Sequence, residues 1–182
     1  MSLAAVPAPS PLDGQRVLPS DLLAEQSTIG GMLLSQEAVA EVFEYVKAKD
    51  FYAPKHELIF DAIVSLYGRG EPTDVITVTA ELSKTGNLVR AGGADYLHHV
   101  TSIVPTAANA AYYAEIVKDK ATLRRLVEVG TRIAQMGYEN QGEVEDLVNQ
   151  AQADVYAVAS QNLGEEYSTL GESLQSALDE IE

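Results

Sequence analysis

The sequence predicts an all-α fold: a small helical globule, followed by a long antiparallel αα-hairpin and a C-terminal linker helix. Three observations predict it. Apolar residues recur at spacings of three and four along most of the 182-residue chain, which is the period of an amphipathic helix. No proline interrupts residues 107–138, so one long helix is allowed there. The one segment with strong β propensity, at 75–79, has no second strand to pair with.

The chain divides into four parts by composition. Residues 1–18 are expected to form a disordered tail, because prolines alternate there with small residues. Residues 19–106 form the globule and residues 107–161 the hairpin. Residues 162–182 are a polar linker and the start of a linker helix at 171–182, which carries Leu174, Leu178 and Ile181 on one face.

The first helix is predicted over residues 20–34. Ser20 or Asp21 can cap its start, and Leu22, Ile29, Met32 and Leu33 lie on its apolar face. The pair Gly30-Gly31 interrupts this pattern. Two readings stay open: a helix weakened by roughly 1 kcal/mol per glycine, or a place where another backbone packs closely against this one.

Two further helices follow, at 36–47 and from Pro54 to about Tyr67. Pro54 suits the first position of a helix, where no backbone donor is needed. The expected inward residues recur at helical spacing: Val39, Val42, Phe43 and Val46 in the earlier helix, and Ile59, Phe60, Ile63, Leu66 and Tyr67 in the later one.

Residues 75–84 combine strand-like and helix-like signals. Residues 75–79 favour a strand, but Asp74 is a good N-cap and Gly86-Asn87 is a good helix stop. We therefore predict a helix there. Another helix is predicted at 94–103, opened by Gly92-Gly93 and closed by Pro105.

The predicted hairpin has two amphipathic arms, one capped by Thr106 and running from Ala107 to about Tyr138, and one at about 143–161. Only residues 139–142 separate them, so the arms are expected to lie antiparallel. At about 1.5 Å per residue the first arm spans roughly 45 Å, which is longer than a small globule needs. The hairpin is therefore expected to project and to meet a partner.

Charge and composition exclude several classes of protein. With 12 basic and 27 acidic residues the formal net charge is −15, which disfavours unassisted, tight binding to a DNA backbone. The chain has no cysteine, so disulfides and cysteine metal sites are excluded. Neither a secretory signal nor an apolar run long enough for a membrane span is present. We expect a cytoplasmic protein.

The basic residues are unevenly placed. All 12 lie at or before Arg132, and residues 139–182 carry 11 acidic residues. Five basic residues lie on the first hairpin arm: Lys118, Lys120, Arg124, Arg125 and Arg132. They either match acidic charges within the chain or across a dimer, which we favour, or form a stripe that binds a partner.

Catalytic motifs are missing from the sequence. It contains neither GxxxxGK[ST] nor GxGxxG, GxSxG or HExxH. The adjacent His98 and His99 favour surface or capping positions over a metal site. His56 is expected to pack on, or hydrogen-bond to, the Phe51-Tyr52 loop. The acidic cluster at 143–146 is typical of a first helical turn.

The sequence resembles the N-terminal domain of the bacterial replicative DNA helicases of the DnaB type. Residues 22–34, LLAEQSTIGGMLL, are similar to that family's opening helix, LEAEQSVLGGLLL. Further similar blocks follow in order and in register: DFY at 50–52 with His56 and LIF at 58–60, GEPTD at 70–74, GGADYL at 92–97, VPTAAN at 104–109 with YYAEIV at 112–117, and LRRL at 123–126.

The resemblance implies a function. In that family the domain is an all-helical globule with a hairpin. Hairpins from two subunits form a dimer, and three dimers form a collar on a hexameric ring. The collar recruits the C-terminal helicase-binding domain of primase, and a helicase loader is a further candidate partner. The ATPase motor, with its ATP and magnesium, lies in another domain, so we expect no cofactor and no enzyme activity in this chain.

We expect the dimer interface on the apolar stripes of the two arms, although part of these stripes must pack arm on arm within one chain. The candidates are Leu123, Leu126, Gly130, Ile133 and Met136 on the first arm, and Leu147, Ala151, Val155 and Val158 on the second. The candidate primase contacts lie near the hairpin and its junction with the globule: Arg124, Arg125, Tyr138 and Glu139.

Two other classes of function stay open beside this one. A stand-alone helical adaptor would carry the same domain without a motor. A carboxylate-based hydrolase is disfavoured, because no acid and base are paired in an apolar sequence context.

Overall fold

The computed structural model describes residues 17–139 and 141–160. These residues form helices and no strand, so the all-α prediction is confirmed. The helices are α1 (Leu22–Leu34), α2 (Gln36–Tyr45), α3 (Pro54–Gly68), α4 (Val75–Lys84), α5 (Gly93–Ser102), α6 (Ala110–Glu139) and α7 (144–160), with short 3-10 turns at Ala48–Asp50 and Ala107–Asn109. The expectations for the tail at 1–16 and for the linker and its helix at 162–182 lie outside the described residues.

The helix starts follow the local sequence. The Asp21 side chain accepts a hydrogen bond from the Ala24 amide, 3.0 Å away, and Asp74 accepts from the amides of Ile76 and Thr77. These bonds satisfy backbone donors that the first turn of a helix leaves unpaired. Asp74 therefore decides the ambiguous 75–79 segment in favour of helix α4. Thr106 caps the 3-10 turn ahead of α6 rather than α6 itself.

Helix α1 is the centre of the globule, and α2, α3, α5 and α6 all pack on it. Nine of its 13 residues are buried. Leu22 was expected on its inward face, but this side chain is half exposed. The close contacts of α1 lie at its Gly30-Gly31 end, so its first residue is left uncovered.

The glycine pair marks a close helix approach, which decides between the two readings left open by the sequence. A Cβ built on Gly30 would lie 2.2 Å from the Val100 carbonyl oxygen of α5. A Cβ built on Gly31 would lie 2.6 Å from the Ala110 Cβ of α6. Both neighbours can pack on α1 only because these two side chains are absent.

Helix α6 belongs to two parts of the molecule. Its residues at spacings of four and three are buried against the globule: Ala110, Ala114, Val117, Ala121 and Arg124. Beyond Arg124 it continues as the first arm of the hairpin. The predicted boundary between globule and hairpin lies between residues 106 and 107. In the structure the first half of α6, which follows this boundary, is part of the globule.

The second half of α6 and helix α7 form the expected hairpin. Arg132 of α6 donates to Asp154 of α7 over 3.3 Å, and Val129 faces Val158 across the same cleft. Later residues of one arm thus meet earlier residues of the other, as in an antiparallel pair. Within the described residues, no helix is both long and apolar enough to cross a membrane.

Candidate functional site

The hairpin carries an apolar face that no part of the described chain covers. On α6, Leu123 and Leu126 are 45% and 50% exposed, and Val155 on α7 is 47% exposed. The remaining candidates for the dimer interface divide by exposure: Gly130 is exposed, whereas Ile133, Met136, Leu147, Ala151 and Val158 are partly buried. The half-exposed residues face solvent along both arms, so they are available to a partner.

A groove of about 560 Å³ runs between the two arms. Its lining is apolar apart from the Gln152 amide and the Tyr156 hydroxyl. One residue comes from α6 and six from α7: Ile133, Val148, Ala151, Gln152, Val155, Tyr156 and Ala159. Three of the predicted interface residues, Ile133, Ala151 and Val155, therefore meet in one place. An open, almost wholly apolar groove of this size is typical of a surface that another protein covers.

The predicted interface set omits several exposed apolar residues on the same arms. Val127 and Val148 are about half exposed, and Tyr156 is 71% exposed. Val148, Gln152 and Tyr156 are four residues apart along α7, so they share one side of it. This spacing is the signal that could have placed Tyr156 in the groove.

Other predicted residues lie between the arms rather than on the open face. Val158 lines a second, smaller cleft of about 180 Å³ with Arg125, Val129 and Arg132. The ion pair of Arg132 with Asp154 spans this cleft. The interpretation of the basic residues as charge partners within the chain is thus supported at Arg132.

Two arginines of α6 hold the hairpin on the globule. Arg124 is buried; one guanidinium nitrogen donates to the Pro19 carbonyl over 2.8 Å and another to the Asp50 carbonyl. Arg125 forms an ion pair with the buried Asp50 carboxylate. We call Pro19, Asp50, Arg124 and Arg125 the joint. These four residues come together at the base of the hairpin only in the folded chain, and no sequence motif predicts that they do.

The four candidate primase contacts therefore lie in two places. Tyr138 is 91% exposed near the end of α6, and Glu139 beside it is exposed too. Arg124 and Arg125 are engaged in the joint. The tip residues are open to solvent, whereas the two arginines bind groups of the same chain.

A buried polar network lies beneath the joint. His56 and Glu25 are fully buried, with 2.6 Å between His56 Nδ1 and Glu25 Oε2. On the other side of the ring, 2.6 Å separates His56 Nε2 from the Tyr96 hydroxyl. The expected bond between His56 and the Phe51-Tyr52 loop is indirect: Glu25 accepts the Tyr52 amide, and the Phe51 ring packs edge-on to His56. No motif and no apolar spacing in the sequence predicts that Glu25 is buried.

The titratable groups Asp61 and Glu71 lie apart from the joint and from the buried network. No group of three or more potential metal ligands occurs in the described part of the chain. Burial raises the pKa of Asp61, which lines a cleft of about 140 Å³ between α3 and α4. A hydrogen bond from Arg69 lowers the pKa of Glu71 on the surface. His98 and His99 are both exposed, as expected.

Relatives of known function agree with the resemblance found in the sequence. The chain is 64% identical over 168 residues to the replicative DNA helicase DnaB of Leifsonia xyli, covering 92% of this chain and 37% of that protein. It is 53% identical to the replicative DNA helicase DnaB of Mycobacterium leprae, covering 93% of this chain and 28% of that protein. The chain thus spans about a third of the length of these relatives.

Solved structures agree on the fold. The crystal structure of the N-terminal domain of DnaB helicase from Mycobacterium tuberculosis matches with a TM-score of 0.75 and 56% identity, covering 78% of this chain and 99% of that one. A DnaB-like replicative helicase, whose structure was described with its interactions with primase, matches with a TM-score of 0.63, over 81% of this chain and 35% of that one. At 19% identity this second match shows the fold alone.

The family model supplies the last comparison. The model of the DnaB-like helicase N-terminal domain matches residues 17–119, which include α1 to α5 and the beginning of α6. The resemblance inferred from the sequence blocks is confirmed. The chain belongs to the DnaB-like helicase N-terminal domain family.

Proposed function

We propose that this chain is the collar domain of a hexameric replicative DNA helicase, which assembles through its hairpin and docks primase. The observation that carries the proposal is the open apolar groove between the arms of the hairpin. A second copy of the hairpin is the occupant that fits it, because the family is one whose hairpins pair.

The small side chains of this face support its self-association. Gly130 is exposed, with no atom within 4 Å of a built Cβ, so a second helix can approach α6 closely. Ala151 and Ala159 line the groove on the other arm. Two hairpins that meet by these faces would form a four-helix bundle, in which each copy fills the groove of the other in a symmetric contact.

Unwinding is proposed for the longer parent protein and not for this chain. The 182 residues contain no GxxxxGK[ST] sequence for nucleotide phosphates. ATP and magnesium would bind a motor domain of the parent. The net charge of −15 makes tight DNA binding by this chain unfavourable, so the role we propose for it is assembly and recruitment in the cytoplasm, at the replication fork.

The first test is the self-association of the Val155→Asp variant. Val155 is half exposed in one chain, so the change should hardly affect folding. In the dimer it would place an unpaired carboxylate in an apolar interface, twice by symmetry. We expect the dimer Kd to rise about 10- to 100-fold, or about 1.4–2.7 kcal/mol, as measured by sedimentation equilibrium.

Val89→Asp is the matched control for this test. Val89 is 89% exposed on the globule and does not line the groove, so its Kd should stay unchanged. An unmodified chain that is monomeric at all concentrations would contradict the proposal. Equal dimer Kd values for Val155→Asp and the unmodified chain would show that the groove is not the dimer interface.

The second test concerns primase. We propose that Tyr138 and Glu139 contact its C-terminal helicase-binding domain directly, and that Arg124 and Arg125 contribute by holding the hairpin in place. Calorimetric titration of this chain with that domain of the cognate primase should show saturable binding. Tyr138→Ala should weaken it by about 1 kcal/mol or more, because exposed tyrosines are frequent anchors of interfaces.

The control variant for the titration is Tyr112→Ala. Tyr112 is 64% exposed but lies on the part of α6 that packs against the globule, so its removal should leave primase affinity unchanged. A dimeric chain that does not bind the primase domain would contradict docking by this chain alone while leaving the collar role standing. A helicase loader remains a further proposed partner of the same collar.

A further inference from the structure

Residues 50–53, in the loop between α2 and α3, connect the joint to the buried network of Glu25, His56 and Tyr96. The carbonyl and carboxylate of Asp50 accept hydrogen bonds from Arg124 and Arg125 of the hairpin arm. Two and three residues later, the amides of Tyr52 and Ala53 donate to the carboxylate of Glu25, over 2.6 and 3.2 Å. The same short segment thus forms hydrogen bonds with the hairpin arm and with the buried network.

On the side of the segment that meets the hairpin, Asp50 and Arg124 each form further contacts. The second carboxylate oxygen of Asp50 accepts the Lys47 amide at 2.8 Å, which fixes the side chain against its own turn. Arg124 also binds the Pro19 carbonyl, and its guanidinium carbon lies 5.6 Å from the centre of the Tyr52 ring. Residues 50–52 thus hold α6 at Arg124 and Arg125, in addition to the packing of its first half on α1 and α2.

The globule side of the segment is a continuous chain of hydrogen bonds. Gln26 donates to the Tyr96 hydroxyl over 3.1 Å. That hydroxyl contacts His56, and His56 contacts Glu25. The Tyr96 and His56 rings are also stacked, with 13° between their planes. These residues come from α1, α3 and α5, so the network ties three helices of the globule to one loop.

We propose that the Glu25–His56–Tyr96 network is a positioning device for the hairpin. It fixes residues 50–53, and those residues in turn fix Arg124 and Arg125. The three side chains touch neither the groove nor the tip; they act through the joint. The consequence for dimerisation rests on the proposed function, whereas the consequence for hairpin direction does not.

The test is a distance measurement between the globule and the hairpin tip. The chain has no cysteine, so spin labels can be attached through Val89→Cys and Tyr138→Cys, at two highly exposed positions. Double electron–electron resonance on labelled chain diluted into unlabelled chain reports the distance within one copy. We expect one narrow distance distribution, which broadens in Asp50→Asn because its ion pair with Arg125 is lost.

The decisive variant is Tyr96→Phe, which removes one hydroxyl whose hydrogen-bond partners, Gln26 and His56, are not residues of the joint. We expect it to broaden the same distribution, and the double variant Tyr96→Phe with Asp50→Asn to broaden it no further than the wider single variant. Non-additivity of this kind indicates that two residues act through a shared element. The dimer Kd should rise about 2- to 30-fold, the size of effect that such coupling produces.

Two controls separate positioning from general loss of stability. Labels at Ile76→Cys and Val89→Cys both lie on the globule, and their distance distribution should not change in any variant. Arg69→Gln breaks an exposed ion pair with Glu71 and should leave the hairpin distance unchanged. A narrow hairpin distribution in Tyr96→Phe, or in Asp50→Asn, would overturn the proposal, as would broadening that is equal in the globule pair. If the otherwise unmodified chain were monomeric and its hairpin distance distribution narrow, the proposed dimer would be contradicted and this inference would stand.

Discussion

Replacement of His56 with alanine is expected to lower the free energy of unfolding by about 3–5 kcal/mol, because it removes a large buried ring and two buried hydrogen-bond contacts. Glu25 would lose its contact with Nδ1, and the Tyr96 hydroxyl would lose its contact with Nε2. The alanine would also leave a cavity beside Phe51. Urea unfolding at one fixed chain concentration measures the effect.

His98→Ala is the matched control for His56→Ala. His98 is exposed on α5, and a surface histidine of this kind should change stability by no more than about 0.5 kcal/mol. If His56→Ala cost less than about 1 kcal/mol, Glu25 would have found water or another donor, and the network would not be the structural element described above.

Gly30→Ala is the second large expected effect, with a loss of about 3 kcal/mol or more in unfolding free energy. The added methyl group would lie 2.2 Å from a backbone oxygen of α5 and 2.6 Å from the Val104 side chain. The oxygen belongs to the backbone of a helix, so it cannot move away without displacing α5 from α1. Thermal and urea unfolding both report the change.

Gly68→Ala makes the same chemical change where there is space. A Cβ built on Gly68 meets nothing within 4 Å, and this glycine ends α3 without a left-handed backbone. Its replacement should be neutral or stabilise by up to about 1 kcal/mol. Equal effects of the two variants would contradict the account of Gly30 as a packing contact.

The helices were predictable because their signals are local. Asp74 decides the start of α4 by accepting two amides within three residues, and Pro54 marks the start of α3. Such bonds depend only on neighbours in the sequence, so the sequence contains all the information they need. The apolar spacing of the hairpin arms likewise identified Ile133, Ala151 and Val155, which line the groove.

The joint and the buried network were not predictable in the same way. Arg124 is a candidate primase contact in the sequence because it lies near the junction of the hairpin with the globule. Its guanidinium is instead enclosed by Pro19 and Asp50, which are distant in sequence and become neighbours only in the folded chain. Glu25 is an acid on the buried side of α1, and only His56 and two loop amides make that position acceptable.

The sharing of α6 between globule and hairpin also bears on the order of events during synthesis of the protein. Ala110, Ala114 and Val117 are buried in the core, and Gly31 meets Ala110 across nearly half the length of the chain. Helices α1 to α5 therefore emerge from the ribosome with one wall of their core missing. Long-range contacts of this kind slow folding, and the globule can close only once the first half of α6 has been made. Closure of the globule is therefore followed at once by synthesis of the hairpin arm, through which we propose that two copies pair.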